Sequence, residues 1–498
     1  MENGEILHVA VFPWLAVGHL VPFMRISKYL AQKGHRVSFI STSRNISRLP
    51  KIPPSLSSLI NLVSLPLPKV DGLPDRAESS ADVPHNKQQL LKRAFDLLDS
   101  PLATFLEASR PDWIIYDYTS HWLPRLAAKF GVSRAYFSLF TAACLSFIGP
   151  PEVLIDADPR STAEDFSVVP KWIPFPSNVV YRVHEISKNV DGSSGNESGT
   201  SDGIRFGIAA AESDVVAIRT SAELEPEWLN LLAELYRKPL LPIGFLPPVM
   251  EDEEEENDAR WVYIEEWLDK QRVNSVVYVA LGTEATLSPQ ELNELALGLE
   301  QSGLPFFWVL RKALAQNELP AGFEERVRDQ GIVRVGWVPQ VKILSHESVG
   351  GFLTHCGWNS VVEGLGFGRV LILLPVLNDQ GLNARLLQGK KLGVEINRDE
   401  RDGSFTRESV AQSVRLAMVY EAGEYLRDRA KEMKGLFGDR DRNDHLVDGF
   451  IRFLEENRLS NTVADISTSC RKMHWHLDRH PFGSKARRGG IICYVIWL

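Results

Sequence analysis

A histidine and an aspartate at the ends of two strands of one sheet can do proton chemistry, and this chain offers such a pair in His19 and Asp117. His19 sits in a loop after the β-rich apolar run LHVAVFPWL, and Asp117 ends the run WIIYD. A carboxylate on one imidazole nitrogen fixes the tautomer and steadies the charged ring. The other nitrogen is then free to take a proton from a hydroxyl. Taken singly, each residue reads equally well as part of a capped loop or a turn.

The stretch from Trp337 to Gln380 carries a second kind of chemistry, the holding of a nucleotide. SVGGFLT is a short apolar run suited to a buried strand, and HCGWNSVVEGLGFG has the residues of a strand-to-helix turn with the helix starting near Trp358. Asn359 and Ser360 at such a start turn side chains and free backbone N–H groups outward, which is how a helix N-terminus receives a phosphate. His355, just before the turn, can donate to the same diphosphate. Trp337 offers a flat face for a base, and Glu363, one turn into the helix, can accept from two ribose hydroxyls. LILLP reads as the next buried strand, and Asp379 and Gln380 follow its carboxyl end, where ligands lie in open α/β sheets. Gly282 and Thr283 close the strand-like SVVYVALGT and let a small loop approach the diphosphate from the side opposite His355. Alone, Trp337 and His355 read as core, Glu363 as a solvated helix face and Gly282 as an ordinary turn. Their joint spacing reverses those readings.

The elements that must position these groups follow a βαβ grammar. LHVAVFPWL, a loop and helix over AVGHLVPFMRISKYLAQKG, and the strand HRVSFIST open it, and PDWIIYDYTSHWLPRLAAKFG repeats it. Parallel strands with crossover helices imply a Rossmann-like unit whose site lies at the loops after its strands. No G-x-G-x-x-G follows the first strand, which counts against a nicotinamide oxidoreductase. SRAYFSLFTAACLSFIG is a strand leading into an apolar helix, and there Phe140, like Trp14 after the first strand, serves as readily to line a small-molecule cavity as to fill a core. KNVDGSSGNESGTSDG reads as a mobile polar loop.

Proline, glycine and the block Glu251 to Glu256 mark a hinge in LLPIGFLPPVMEDEEEEND. The second unit opens with the helix WVYIEEWLDKQ and continues through the capped helix LSPQELNELALGLEQSG and the strand PFFWVLR to LGVEI. The organisation read from this is a first unit over 1–245, an acidic linker over 246–260, a second unit over 261–435 and a helix over 436–457 that returns to the first. Both helices near Glu424 to Lys434 and His445 to Asn457 are candidates for that return. Residues 458–498 form an atypical tail that reads as disordered. A metal site from His474, His476 and His480 is conceivable there, but the tail is assigned no function.

Length and composition set the outer bounds. A chain of 498 residues suggests two or three domains, and 44% hydrophobic with 24% charged residues supports sizeable cores. A net charge of -9 and a pI near 5.8 argue against a nucleic-acid binder. The four cysteines, Cys144, Cys356, Cys470 and Cys493, have neither metal-ligand spacing nor the density of a disulfide framework. The acidic start lacks a basic leader, and no uncharged apolar run is long enough to span a bilayer, so the expectation is a cytoplasmic protein without an integral membrane segment.

The ordered run W-x-P-Q, H-C-G-W-N-S, E and D-Q resembles the plant secondary product signature of the UDP-dependent glycosyltransferases. The resemblance implies the GT-B fold, two Rossmann-like domains facing each other across a cleft. It implies a UDP-sugar donor held by Gly282, Thr283, Trp337, Val338, Gln340, His355, Gly357, Trp358, Asn359, Ser360, Glu363, Asp379 and Gln380. His19 matches the family's base and Asp117 its partner, with Trp14 and Phe140 toward a small-molecule acceptor. Direct displacement at the anomeric carbon then inverts it, and helix N–H groups and side-chain donors take the place of a metal or other cofactor. FPWLAVGHLVPF, SFISTSRNISRLP and LGTEATLSPQELNELALGLEQSGLPFFWVLRK most resemble the branch that adds glucose or rhamnose to a sugar already on a flavonoid, terpenoid or saponin. A non-catalytic binder of the same fold is the alternative.

Overall fold

Strand alternation explains the first layer of the architecture. In the computed structural model, which describes residues 6–84, 87–156, 158–187, 198–248, 259–285, 287–311 and 319–458, seven strands form the first sheet. They are β1 (His8–Phe12), β2 (Arg36–Ser41), β3 (Ile60–Ser64), β4 (Trp113–Tyr116), β5 (Ser133–Ser138), β6 (Val215–Ile218) and β7 (Leu240–Pro242). All pair in parallel, in the order β3-β2-β1-β4-β5-β6-β7. Successive side chains alternate faces. Ala10, Phe12, Ile114, Tyr116, Val216 and Ile218 enter one core, and Val9, Val11, Trp113, Ile115, Val215 and Ala217 enter the other. Helices therefore cover both faces, as an all-parallel sheet requires.

The second unit repeats the plan with β8 (Val276–Ala280), β9 (Phe306–Leu310), β10 (Gly331–Val335), β11 (Val349–Thr354), β12 (Val370–Leu373) and β13 (Gly393–Glu395), in the order β10-β9-β8-β11-β12-β13. Local chemistry sets its helix ends. Ser288 and Glu291 form a capping box at the start of Pro289–Ser302, and Gly303 ends that helix at φ +69.

Each sheet reverses its winding at one point, between β1 and β4 in the first and between β8 and β11 in the second. A crevice opens at the carboxyl ends of the strands there. Phe12 pairs with Tyr116 and Ala280 with Thr354, so the segments that follow each pair of strands emerge side by side. The two crevices line one shared cleft of about 1000 Å³.

The chain crosses between the units twice. Phe245 stacks on Phe437 with ring centroids 4.0 Å apart, and its backbone N–H donates to Asn443 Oδ1 at 2.6 Å. The helix Glu424–Phe437 stays with the second unit, burying Leu426, Ala430 and Phe437 in its core. The helix Arg440–Glu456 packs on the first, through Val447, Phe450, Ile451 and Leu454. Burying each such side chain contributes about 2 kcal/mol, and the Leu454 carbonyl accepts from the Trp113 indole at 2.9 Å. No helix among the described residues is long and apolar enough to cross a membrane.

The sequence reading omitted β3, β7 and β10, all edge strands. Their side chains are largely half-buried or exposed, so they carry little of the apolar signal that marks a central strand. Much of the acidic linker (249–258), part of the polar loop (188–197) and the tail from residue 459, with His474, His476, His480, Cys470 and Cys493, lie outside the described residues.

Candidate functional site

His19 stands not in a loop but in the first turn of the helix Val17–Gln32, where its backbone N–H donates to Ala16 O at 2.9 Å. Pro22 obscures this start in the sequence because a proline inside a helix normally breaks it. Here it falls in the second turn, and the only acceptor it leaves without its regular partner is the carbonyl of Gly18. His19 Nδ1 meets Asp117 Oδ2 at 2.6 Å. That carboxylate is fully buried and held from three sides, since Oδ2 also accepts from Trp14 N at 3.2 Å and Oδ1 accepts from Tyr118 N at 2.8 Å. His19 Nε2 has no hydrogen-bond partner among the described residues, and the ring lines the cleft.

Burial by itself pushes the His19 imidazole down. The charge of Asp117 and its hydrogen bond, with Glu284 and Asp379 beyond, outweigh burial and hold the ring above its ordinary value. Burial raises the Asp379 carboxyl, while Asn383, donating at 2.7 Å, opposes the rise. Glu284 is a site residue the sequence reading did not single out, although it follows Thr283 directly. Its Oε1 accepts from Ser80 Oγ, which joins the two units across the cleft.

Across the cleft, the turn between β11 and the helix Trp358–Gly366 is tightly wound, with Cys356 at φ +68. A non-glycine residue in that region is strained, and it persists only where its surroundings hold it. Cys356 O accepts from Asn383 Nδ2 at 3.1 Å. The His355 ring fits between two glycines. A Cβ on Gly282, at φ +75, or on Gly357 would stand 2.5 Å from its Nε2. Burial presses this imidazole down to about 4, so it is neutral and acts as a hydrogen-bonding group, not a charge. Its Nδ1 has no partner among the described residues.

Trp337 is 66% exposed beside the cleft, which rules out a core role. Behind it, Gln340 Nε2 donates to Glu363 Oε2 at 2.7 Å and Gln340 Oε1 accepts from Tyr278 OH at 3.2 Å. Glu363 is thereby oriented with Oε1 left for a ligand. Val338, Gly357, Ser360 and Thr283 also line the cleft. The first N–H groups of the helix have no partner within it.

Three side chains that the sequence assigns to a ligand are already engaged within the protein. The spacing predicts that Asn359 turns outward to phosphate. Instead its Oδ1 accepts from Arg219 Nη1 and its Nδ2 donates to Gly18 O at 2.8 Å. The Trp358 indole N–H donates to Arg219 O at 2.9 Å, and its ring is packed near Phe245 and Phe437, only 5% exposed. Gln380 Oε1 accepts from Val376 N at 3.0 Å and Leu377 N at 2.8 Å. Two backbone donors on that oxygen fix the orientation of the amide and leave the nitrogen end as the donor for a ligand.

On the far side of His19 the cleft is aromatic. Phe140 lies 6.2 Å from the His19 ring centroid, 5.5 Å from Tyr118 and 5.0 Å from Phe206, and the last two stack at 4.1 Å. Trp14 is edge-on to Phe95 at 5.2 Å and mostly buried, so it forms a wall that is also core. Tyr118 could have been found as the neighbour of Asp117. Phe206 comes from the helix Asp202–Ala211, and nothing in its local sequence marks it.

Comparison with known proteins identifies the family. Residues 236–418 match the family model described as UDP-glucoronosyl and UDP-glucosyl transferase. UDP-glycosyltransferase 91C1 of Arabidopsis thaliana is 61% identical over 461 residues, covering 93% of this chain and 99% of that relative. The soyasaponin III rhamnosyltransferase of Glycine max is 42% identical, covering 92% of this chain and 97% of its own. Among solved structures, Phytolacca americana UGT2 complexed with UDP-2fluoro-glucose and pterostilbene superposes with a TM-score of 0.69 at 25% identity, covering 91% of this chain and 100% of that one.

Proposed function

Because this chain belongs to the plant UDP-dependent glycosyltransferases, enzymes of the GT-B fold, we propose that it transfers glucose or rhamnose from a UDP-sugar to a hydroxyl of a plant secondary metabolite, an acceptor that already carries a sugar. The observation that supports this most directly is the 2.6 Å His19–Asp117 pair facing, across one cleft, the open N-terminus of the helix Trp358–Gly366. A base for the acceptor and a cradle for the leaving group are the two parts that a single displacement needs.

In this reading His19 Nε2 takes the acceptor proton as the oxygen attacks the anomeric carbon from the face opposite UDP, and the centre inverts. Asp117 holds Nδ1–H and stabilises the imidazolium. Helix N–H groups, Ser360, Thr283 and neutral His355 receive the charge that develops on the diphosphate, in place of a metal. Trp337 faces the base, and Glu363 Oε1 accepts from the ribose. Asp379 and the Gln380 amide nitrogen meet the sugar hydroxyls, while Phe140, Tyr118 and Phe206 hold the acceptor. A flavonoid or terpenoid glycoside suits that aromatic wall, and the relative named a soyasaponin III rhamnosyltransferase supports the sugar-bearing class. The cytosol is the proposed compartment.

Purified protein incubated with UDP-glucose or UDP-rhamnose and a panel of flavonoid and terpenoid glycosides is expected to yield a product heavier by one hexosyl or deoxyhexosyl group by mass spectrometry. UDP binding without product from either donor would turn the reading toward a binder. Acidity supplies a further expectation. His19 is a base only when neutral, and its carboxylate neighbours hold it above the ordinary imidazole value of 6.5. The ratio kcat/KM therefore falls, as pH drops, through a midpoint above that value. Glu284→Gln removes one of these charges and is expected to move the limb downward. A limb at or below the ordinary imidazole value would remove His19 from the role of base.

A further inference from the structure

Arg219 follows β6 directly and is fully buried, 1% exposed, and among the described residues no carboxylate lies within ion-pair distance of it. Its guanidinium is spent on neutral oxygens. Nε donates to Phe245 O at 2.6 Å, Nη2 reaches Leu246 O at 3.5 Å, and Nη1 donates to Asn359 Oδ1. Its own carbonyl accepts from the Trp358 indole. One residue of the first unit thus grips the interdomain strap and the first turn of the helix Trp358–Gly366.

The strap it grips is strained. Leu246 stands at φ +50, and its carbonyl is held by Arg25 as well, at 2.9 Å. From Asn359 the connection continues to the base. Asn359 Nδ2 donates to Gly18 O, one residue before His19, and that carbonyl is available because Pro22 has no N–H to offer it. With Arg219 donating to Oδ1, the Asn359 amide can present only its nitrogen to Gly18.

Burying an arginine without a counter-charge is costly. Here burial, with the charge of Arg25, presses its guanidinium down to about 9, and the more distant Glu363 carboxylate only partly opposes the fall. A diphosphate at the helix N-terminus would supply the missing negative charge one residue away. We propose that Arg219 is a positioning residue for the nucleotide diphosphate, acting through Asn359 to hold the phosphate-receiving helix in register with the His19 turn. The proposal rests on the reading of the cleft as a UDP site, and the diphosphate, not the uridine, is what it should affect.

The test compares binding of UDP and of uridine to the full chain, by calorimetry or competition, in the native protein and in Arg219→Met, Arg219→Lys and Asn359→Ala, with melting temperatures as the folding control. The native protein binds UDP more tightly than uridine. If it does not, the UDP-site reading fails and not this inference alone. Arg219→Met is expected to weaken UDP about ten- to a hundredfold, the usual worth of a hydrogen bond to a charged group, with uridine unchanged. Arg219→Lys keeps the charge but cannot fork to Phe245 O and Asn359 together, so it recovers part of the loss.

Should Arg219→Met fail to fold, the cycle formed by Arg219→Lys and Asn359→Ala decides. Residues acting as one unit give a double variant no worse than the weaker single. Equal losses for UDP and uridine, no loss for either, or strictly additive losses in the cycle would each overturn the proposal.

Discussion

Replacing His19 with alanine is expected to lower kcat by about a thousandfold, the middle of the range for losing a positioned general base, while UDP still binds. The expectation follows from what each half of the cleft supplies. The residues proposed to hold the nucleotide belong to the second unit, whereas His19 stands in the first, with Nδ1 on Asp117 and its ring lining the same cleft. Removing the imidazole leaves Asp117 with its two backbone donors, Trp14 N and Tyr118 N, so its charge is not stranded. Steady-state turnover and UDP calorimetry on the same preparation check the split. A loss in kcat of less than about tenfold would mean that water or another group takes the proton, and the assignment of the base would have to be abandoned.

Asp117→Asn is expected to be nearly as damaging to turnover and worse for stability. In the native protein both carboxylate oxygens accept, Oδ1 from Tyr118 N and Oδ2 from Trp14 N and His19 Nδ1. An amide offers one oxygen and one NH2. In one orientation the NH2 faces Trp14 N–H and forces His19 into the tautomer with its proton on Nε2, where it can no longer act as a base. In the other it faces Tyr118 N–H. Either leaves a buried donor against a donor, which costs about 1–3 kcal/mol. A kcat loss of about a hundredfold or more is expected, with a lower melting temperature and an acid limb shifted downward, since the charge that raises the His19 pKa is gone. Turnover close to native in a folded Asp117→Asn protein would reduce Asp117 to a turn-forming residue.

The βαβ grammar and the residues near the strand ends are legible in the sequence because they depend on short-range rules. Short continuous apolar runs placed WIIY and VVYVA as strands, Ser288 and Glu291 marked a helix start, and small residues marked the turn at His355–Gly357. The order of Trp337, Gln340, His355, Asn359, Ser360, Glu363, Asp379 and Gln380 pointed to one nucleotide pocket, and all eight line the same cleft. The less legible parts are of another kind. Whether Glu424–Phe437 or Arg440–Glu456 returns to the first unit depends on which apolar face finds a vacant core, and both helices have such a face.

The sequence by itself determined which candidate residues gather near the carboxyl ends of the strands, because apolar runs, capping and turn preference act over a few residues. Only the tertiary structure decided which of their atoms remain free. The Asn359 amide is committed to Arg219, 140 positions away, and to Gly18, 341 positions away. The Trp358 indole is committed to Arg219, and Tyr118 and Phe206 become one aromatic wall only by folding. A donor or acceptor has a fixed number of hydrogen bonds to give. Where distant segments claim them is settled by the packing of two sheets, which no local pattern of residues encodes.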